Sequence, residues 1–319
     1  MPHLRPLGRS GLATPPLVLG GNVFGWTARG EDAFRILDRF VAAGGRMIDT
    51  ADVYSAWVPG HRGGESESLI GEWLRRRGAK GEVLIATKVG MLTGEGGEKL
   101  EPARIAAAAE ASLRRLGVDA IDLYYAHQED PNTPVEESLR AFDRLVRGGK
   151  VRALGASNYA PDSLARALDF SAAEGLARYE VLQPEYNLMA RGGFEGGLQQ
   201  LCLERGLGVL PYYGLASGFL TGKYRSAADK EQSVRGGRMD KYLNARGHAV
   251  LEALDAVSAE TGTNPSTVAL AWLAAQPAVT APIASARTPE QLDDFIGAME
   301  LELGAEQLAR LDAASRTEP

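Results

Sequence analysis

Met47-Ile48-Asp49-Thr50-Ala51-Asp52-Val53-Tyr54 runs two apolar residues straight into an acid, then into a loop bearing a tyrosine. Met47 and Ile48 read as the end of a buried strand, where a carboxylate is costly unless a cation meets it. Working outward, Val83-Leu84-Ile85-Ala86-Thr87-Lys88 is a second strand-like run, and it ends in such a cation. Ile121-Asp122-Leu123-Tyr124-Tyr125-Ala126-His127 ends in a histidine in the same way. Asp49, Tyr54, Lys88 and His127 at successive strand ends form a candidate proton-transfer site.

The unit around this stretch recurs. A short apolar run, a polar loop and an amphipathic helix follow one another from Met47 to about Arg77, from Val83 to Leu116 and from Ile121 to Val146. They do so again from Val151 to Ala173 and from Tyr179 to Glu204, with Pro102, Pro134 and Pro161 opening helices. Leu17-Val18-Leu19 supplies a first strand, Leu207 to Leu210 a seventh and Ala281-Pro282-Ile283 an eighth. Eight strands, mostly followed by helices, predict a (β/α)8 barrel, and no linker or composition shift divides residues 1–319 into more than one domain. Residues 3–16, with a Gly8-Arg9-Ser10-Gly11 turn, predict a hairpin ahead of the barrel. The segment 211–247, rich in cations (Lys223, Arg225, Arg235, Arg238, Lys241), is long for a connection and reads as a surface insertion, a lid or an anion clamp.

Composition narrows the function. With 319 residues, 45% of them apolar, the chain has material for a large core. A formal net charge of -6 argues against nucleic acid as the main partner. The single cysteine, Cys202, excludes an internal disulfide and reads as buried in a helix. No cleavable leader or membrane-spanning run is visible, so the cytoplasm is the expected setting. The four histidines, at 3, 61, 127 and 248, form no metal-ligand set. Oligomeric state is left open.

In a barrel of this kind chemistry sits at the C-terminal strand ends. The unusual polar residues collect there: Asp49, Tyr54, Lys88 and His127, then Ser157 and Asn158, Gln183, Tyr212, and Ser285 with Arg287. Taken singly each has a plainer reading, such as a buried ion pair for Asp49 and Lys88 or a satisfied core histidine. Glu65 and Glu67 at a helix start simply suit the helix dipole. Together the set is sharper. Tyrosine holds its proton at neutral pH, with a pKa of about 10, and an adjacent ammonium brings it closer to working pH. Asp49 would orient Lys88, and His127 would dock the oxygen that Tyr54 protonates. That suits carbonyl reduction, whose hydride side chains do not supply.

Along nearly its whole length the chain resembles the aldo-keto reductase family, in its bacterial, long-loop form. Asp49 to Tyr54, Thr87-Lys88, Ala111 to Leu116 followed by Asp122-Leu123-Tyr124 and His127, Gly155-Ala156-Ser157-Asn158, and Gln183-Pro184 carry the likeness. Gly218 to Lys223, Ala286 to Leu292 and the insert Ser55 to Gly64 with Trp57 and His61 extend it. The resemblance implies Tyr54 as general acid, Lys88 as its partner, Asp49 as counter-ion and His127 as carbonyl orienter, acting on a small carbonyl substrate with NADP(H). It implies that Ser157, Asn158 and Gln183 bond the nicotinamide amide and that Tyr212 stacks on its ring. Leu215, Ser217 and Lys223 would lie along the pyrophosphate, with Ser285, Arg287, Gln291 and Asp294 on the adenosine half. Ser285 stands where the family often has Gly or Lys, and Phe295 where it often has Asn. Phe24, Trp26 and Trp57 are candidates for the substrate wall.

Other functions find less support. Gly155-Ala156-Ser157-Asn158-Tyr159 lacks the last glycine of a hydrolase elbow, and no dinucleotide or Walker glycine pattern is present. A nicotinamide-binding sensor with little turnover, and a sugar dehydrogenase working in the oxidative direction, are the alternatives.

Overall fold

A computed structural model describes residues 3–78, 81–226, 228–229, 237 and 239–316. The expected hairpin is formed by β1 (Arg5–Pro6) and β2 (Ala13–Thr14), paired antiparallel. Eight parallel strands follow: β3 (Val18–Gly20), β4 (Met47–Asp49), β5 (Leu84–Val89), β6 (Ile121–Ala126), β7 (Val151–Ser157), β8 (Tyr179–Gln183), β9 (Gly208–Val209) and β10 (Ile283–Ala284). β10 pairs with β3, and amides of Thr280 and Ile283 donate to Val209 and Pro211 carbonyls at 2.8 Å, joining the two edges. The fold is a (β/α)8 barrel.

Around it run α1 (Gly30–Ala42), α2 (Glu65–Arg77), α3 (Pro102–Leu116), α4 (Val135–Arg147), α5 (Pro161–Glu174), α6 (Gly197–Arg205), α7 (Ala245–Thr261), α8 (Pro265–Ala274), α9 (Pro289–Ile296) and α10 (Ala305–Ser315). α1 shows why such segments are helical: Phe34, Leu37 and Phe40 recur on one buried face, and Glu31 and Asp32 sit in its first turn. The last helices differ from the sequence reading. α8 and α10 are not among the helices the sequence predicts, and α8 is buried on every side from Ser266 to Ala274. Strand seven is cut to Gly208–Val209, and strand eight lies about a residue or two later than Ala281–Ile283.

The period-two alternation of each strand divides the core. Met47, Ala86, Leu123, Tyr125, Ala153 and Val181 point into the barrel, with Leu7 of the hairpin closing their cluster from below. Ile48, Ile85, Tyr124, Leu154 and Leu182 point out against the helices. Continuing the alternation puts Asp49, Lys88 and Gln183 inside, one layer above the apolar plug. Gly155 makes room there, since a Cβ at that position would lie 2.4 Å from the Tyr125 ring.

Candidate active site

Lys88, with no exposed surface, donates to an oxygen on each of three residues: the Asp49 carboxylate, the Thr50 carbonyl (2.7 Å) and the Tyr54 hydroxyl (3.0 Å). Those three bonds use all the hydrogens an ammonium has. The Tyr54 oxygen accepts one of them, so its own proton points elsewhere. Asp49 takes a further hydrogen bond from the Gln183 amide nitrogen at 2.8 Å. The buried carboxylate therefore has two donors, as burial of a charge demands.

Tyr54 sits on a turn that is tied on several sides. The Asp52 amide donates to the Lys88 carbonyl (3.2 Å), and the Tyr54 amide to that of Ala51 (3.2 Å). Ser55 follows at a left-handed φ of 74°, its hydroxyl donating to the Phe24 carbonyl at 2.9 Å. Behind this turn lies a second charged cluster. Arg104 on α3 donates to Asp52 (3.1 Å) and to the carbonyls of Leu92 and Glu95, so one guanidinium holds two neighbouring loops. Glu67 does more than suit a helix dipole. It is fully buried, accepts from Thr87 Oγ1 and Arg115 Nε at 2.6 Å each, and links the barrel wall to two helices.

Burial sets the protonation states. It raises the Tyr54 phenol above its ordinary pKa, and Lys88 offsets this only in part, so Tyr54 retains its proton. The expected lowering by Lys88 is thus outweighed. Burial also works against charge on Lys88, but Asp49 and Tyr54 more than compensate and hold the ammonium charged. His127 is pushed well below its usual range by burial and by Lys88, and is neutral. Its Nδ1 is buried without a partner. Burial, with Glu67 nearby, brings Asp52 up to about 7.

A cavity of about 720 Å³ opens at this end of the barrel. Asp49, Tyr54, His127 and Trp57 line one part of it, and Ser157, Asn158, Gln183 and Tyr212 also border it. Leu215, Ser217, Lys223, Ser285, Arg287, Gln291 and Asp294 line the remainder. The Asn158 amide donates to the His127 carbonyl (3.0 Å), and its oxygen accepts from Tyr212 (2.8 Å). Ser285 donates to Asn22 at 2.6 Å, and the Arg287 amide to Gln291 at 3.0 Å. Ala216, Ser217 and Gly218 are consecutive left-handed residues (φ 47°, 58° and 99°) in a short 3-10 helix, Ala216–Thr221, that borders the cavity. Strained backbone of this kind gathers at ligand sites.

Not every residue singled out from sequence lies where expected. Phe24 has no exposed surface and packs with the α1 side of the core, away from the cavity. Trp26 does not line the cavity but stands edge-on to Trp57, ring centroids 5.6 Å apart. Gln183 borders the cavity with its amide nitrogen already engaged by Asp49. In the long segment, Lys223 lines the cavity, whereas Arg225 pairs with Asp255 on the surface. Arg235 and Arg238 lie outside the described residues. The sequence reading missed Asn22, Met91, Tyr213, Asn264 and Ser266 on the cavity wall. Asn264 before Pro265 carried a readable signal, as a helix cap that accepts from the Thr267 amide. No cluster of metal-ligating side chains occurs among the described residues, and no described helix is long and apolar enough to cross a membrane.

A barrel that keeps a tyrosine proton beside a buried ammonium, on the wall of a cavity of about 720 Å³, suits an oxidoreductase. Comparison of sequences agrees: the chain belongs to the aldo/keto reductase family, whose family model matches residues 16–316. It is 35% identical to the uncharacterized oxidoreductase YrpG of Bacillus subtilis (strain 168), over 96% of this chain and 94% of that one. Norsolorinic acid reductase stcV of Emericella nidulans is 33% identical, over 97% of this chain and 80% of its own. L-glyceraldehyde 3-phosphate reductase of Escherichia coli O157:H7 is 30% identical, over 97% and 91%.

Proposed function

We propose that this chain reduces an aldehyde or ketone to an alcohol with NADP(H), Tyr54 acting as general acid. The observation that carries the reading is the Tyr54 hydroxyl, 3.0 Å from a fully buried Lys88 ammonium that is itself anchored by Asp49. Two of the relatives above are named as reductases, which fits it.

The cavity suits the cofactor. Left-handed backbone at Ser217 and Gly218, with Lys223 close by, is a fitting place for phosphate oxygens. Arg287, ahead of the α9 N-terminus, has the two parallel donors a 2′-phosphate takes. When bound, the nicotinamide supplies hydride to the substrate carbon. The protein's own contribution is the proton. His127, neutral, donates from Nε2 to the carbonyl oxygen and fixes its position. Tyr54 gives its proton to that same oxygen as negative charge develops there, and Lys88 stabilises the phenolate left behind. Because burial favours the protonated phenol, the resting site already holds the proton that carbonyl reduction consumes.

The test is consumption of NADPH and NADH against a panel of carbonyl compounds, in wild type and in Tyr54→Phe. The variant should lose about 10²–10⁴-fold in kcat, the usual worth of a general acid, with cofactor affinity nearly unchanged. Wild-type turnover in Tyr54→Phe would move the proton donor elsewhere. A wild type that binds cofactor but reduces none of the panel would favour a sensor.

A further inference from the structure

Of the four groups at the reacting end, Tyr54 has the least support from its own element. Asp49 and Lys88 belong to β4 and β5, and His127 directly follows β6. Tyr54 lies out in the loop, beyond the strand register, which ends at Asp49. A proton donor must be held to within about half an ångström, and an error of about 1 Å can cost roughly a hundredfold in rate. Something outside the sheet has to fix this loop.

Arg104 is placed to do so. It enters from α3 behind the loop, 6% exposed, and uses three different nitrogens. Nη2 donates to the Asp52 carboxylate (3.1 Å), Nε to the Leu92 carbonyl (3.1 Å) and Nη1 to the Glu95 carbonyl (3.2 Å). The planar fork sets the Tyr54 loop at a fixed spacing from the loop after β5, which the single nitrogen of a lysine would not do. Two glycines clear the way. A Cβ at Gly94 would lie 2.6 Å from Arg104 Nη1, and one at Gly63 would lie 2.7 Å from the Asp52 carbonyl oxygen. Asp52, Leu92, Glu95 and Arg104 line no part of the cavity, so the arrangement acts from behind the site.

Stability alone does not account for this pair. Asp52 is 1% exposed and its Oδ1 is buried without a partner, so Arg104 meets one oxygen of the carboxylate and leaves the other bare. A buried ion pair satisfied this thinly adds little to folding, and apolar residues of similar volume often serve as well or better. What the pair supplies and an apolar contact does not is direction, because a charge-assisted hydrogen bond fixes angle as well as distance.

We infer that Asp52 and Arg104 are positioning residues for the proton donor: their ion pair fixes the loop so that the Tyr54 hydroxyl stays in hydrogen-bond range of Lys88 and at the angle proton transfer needs. This rests on the reductase reading above.

The experiment measures single-turnover oxidation of bound NADPH by 4-nitrobenzaldehyde in wild type, Asp52→Asn, Arg104→Lys and the double variant Asp52→Leu/Arg104→Met. The double variant is also made in a Tyr54→Phe background. It strands no charge, so it should melt close to wild type. Its turnover should nevertheless fall by about ten- to a hundredfold, with the NADPH dissociation constant unchanged. Arg104→Lys should lose nearly as much, whereas Asp52→Asn, which still offers Arg104 an oxygen, should lose far less. In the Tyr54→Phe background the same double change should cost nothing further, because its effect runs through the hydroxyl. A merely structural pair would lower the melting temperature and slow both backgrounds alike. Crystals of the double variant give a reading independent of activity: the Tyr54 oxygen should lie beyond hydrogen-bond range of Lys88. A wild-type rate in the double variant, equal slowing in both backgrounds, or an unmoved Tyr54 would overturn the inference and leave the reductase reading standing. If wild type binds NADPH but reduces neither 4-nitrobenzaldehyde nor the wider panel, the reductase reading falls, and the place of Tyr54 in those crystals decides the positioning role by itself.

Discussion

At the scale of single residues, Lys88 is the hinge of the site, and its removal should do two kinds of damage. Lys88→Met takes away the charge that stabilises a Tyr54 phenolate and leaves Asp49 buried with Gln183 as its remaining side-chain donor. Breaking a buried pair costs about 3–5 kcal/mol, so melting temperature and carbonyl turnover should fall together. A variant as stable as wild type would mean that Asp49 is solvated. Asp52 makes a pH prediction. Its pKa is raised by burial to about 7 in the folded chain, so ionising it weighs against folding. The folded form holds the extra proton between the unfolded carboxylate range, near 4, and about 7; stability is therefore lost as pH rises through that window. Wild type should gain melting temperature over Asp52→Asn as pH drops from 8 to 5, and parallel curves would refute this. On the cavity wall, Arg287→Ala should weaken NADPH binding by roughly ten- to a hundredfold, the worth of charge-assisted bonds, and leave NADH nearly unaffected. Fluorescence titration with both cofactors decides it, and equal weakening would remove the NADP preference. Asp49, Lys88 and His127 were legible because each ends an apolar run, where a polar residue needs a reason. Phe24 misled because an aromatic in a glycine-rich loop looks the same whether it turns inward or outward. Glu67 was hidden because its partners, Thr87 and Arg115, are distant in sequence.

Among the elements, the segment Ala216–Thr221 is the one whose behaviour should change with cofactor. Its left-handed residues border the cavity, and its amides belong to a short 3-10 turn rather than a long helix. Bound phosphate oxygens would hold that turn, so amide hydrogen exchange across 216–222 should slow when NADPH is added, while α4, remote in the ring, stays unchanged. Equal exchange with and without cofactor would remove this segment from the binding site. Elements that alternate or show a 3.6-residue stripe were readable, as α1 and β5 demonstrate. α8 was not, because a helix buried all round has no polar face to mark its period. β9 and β10 were blurred for a different reason. Each pairs over two residues, too short a span for alternation to declare itself, and their places were fixed by neighbours in the ring.

For the whole molecule, the recurrence of strand, loop and helix was enough to read the barrel, since eight such units have one economical way to bury their faces. The cavity's shape was less accessible: it depends on which loop side chains meet over the mouth, and Tyr213 and Met91 carry no local signal of that meeting. The closed ring has a further consequence, in time rather than in space. The Val18 amide donates to the Pro282 carbonyl at 2.9 Å, and Val18 pairs with Ile283, so the first barrel strand waits for nearly the last. At about 5–20 residues per second, roughly ten seconds to a minute of synthesis separates the two. Throughout that interval β3 emerges with one side of its backbone unmatched and its apolar neighbours uncovered. Such long-range closure is slow and leaves a partly made sheet open to pairing with other chains. The finished barrel has no edge to offer; the growing one does, and the ribosome-bound chain is where this fold is most vulnerable.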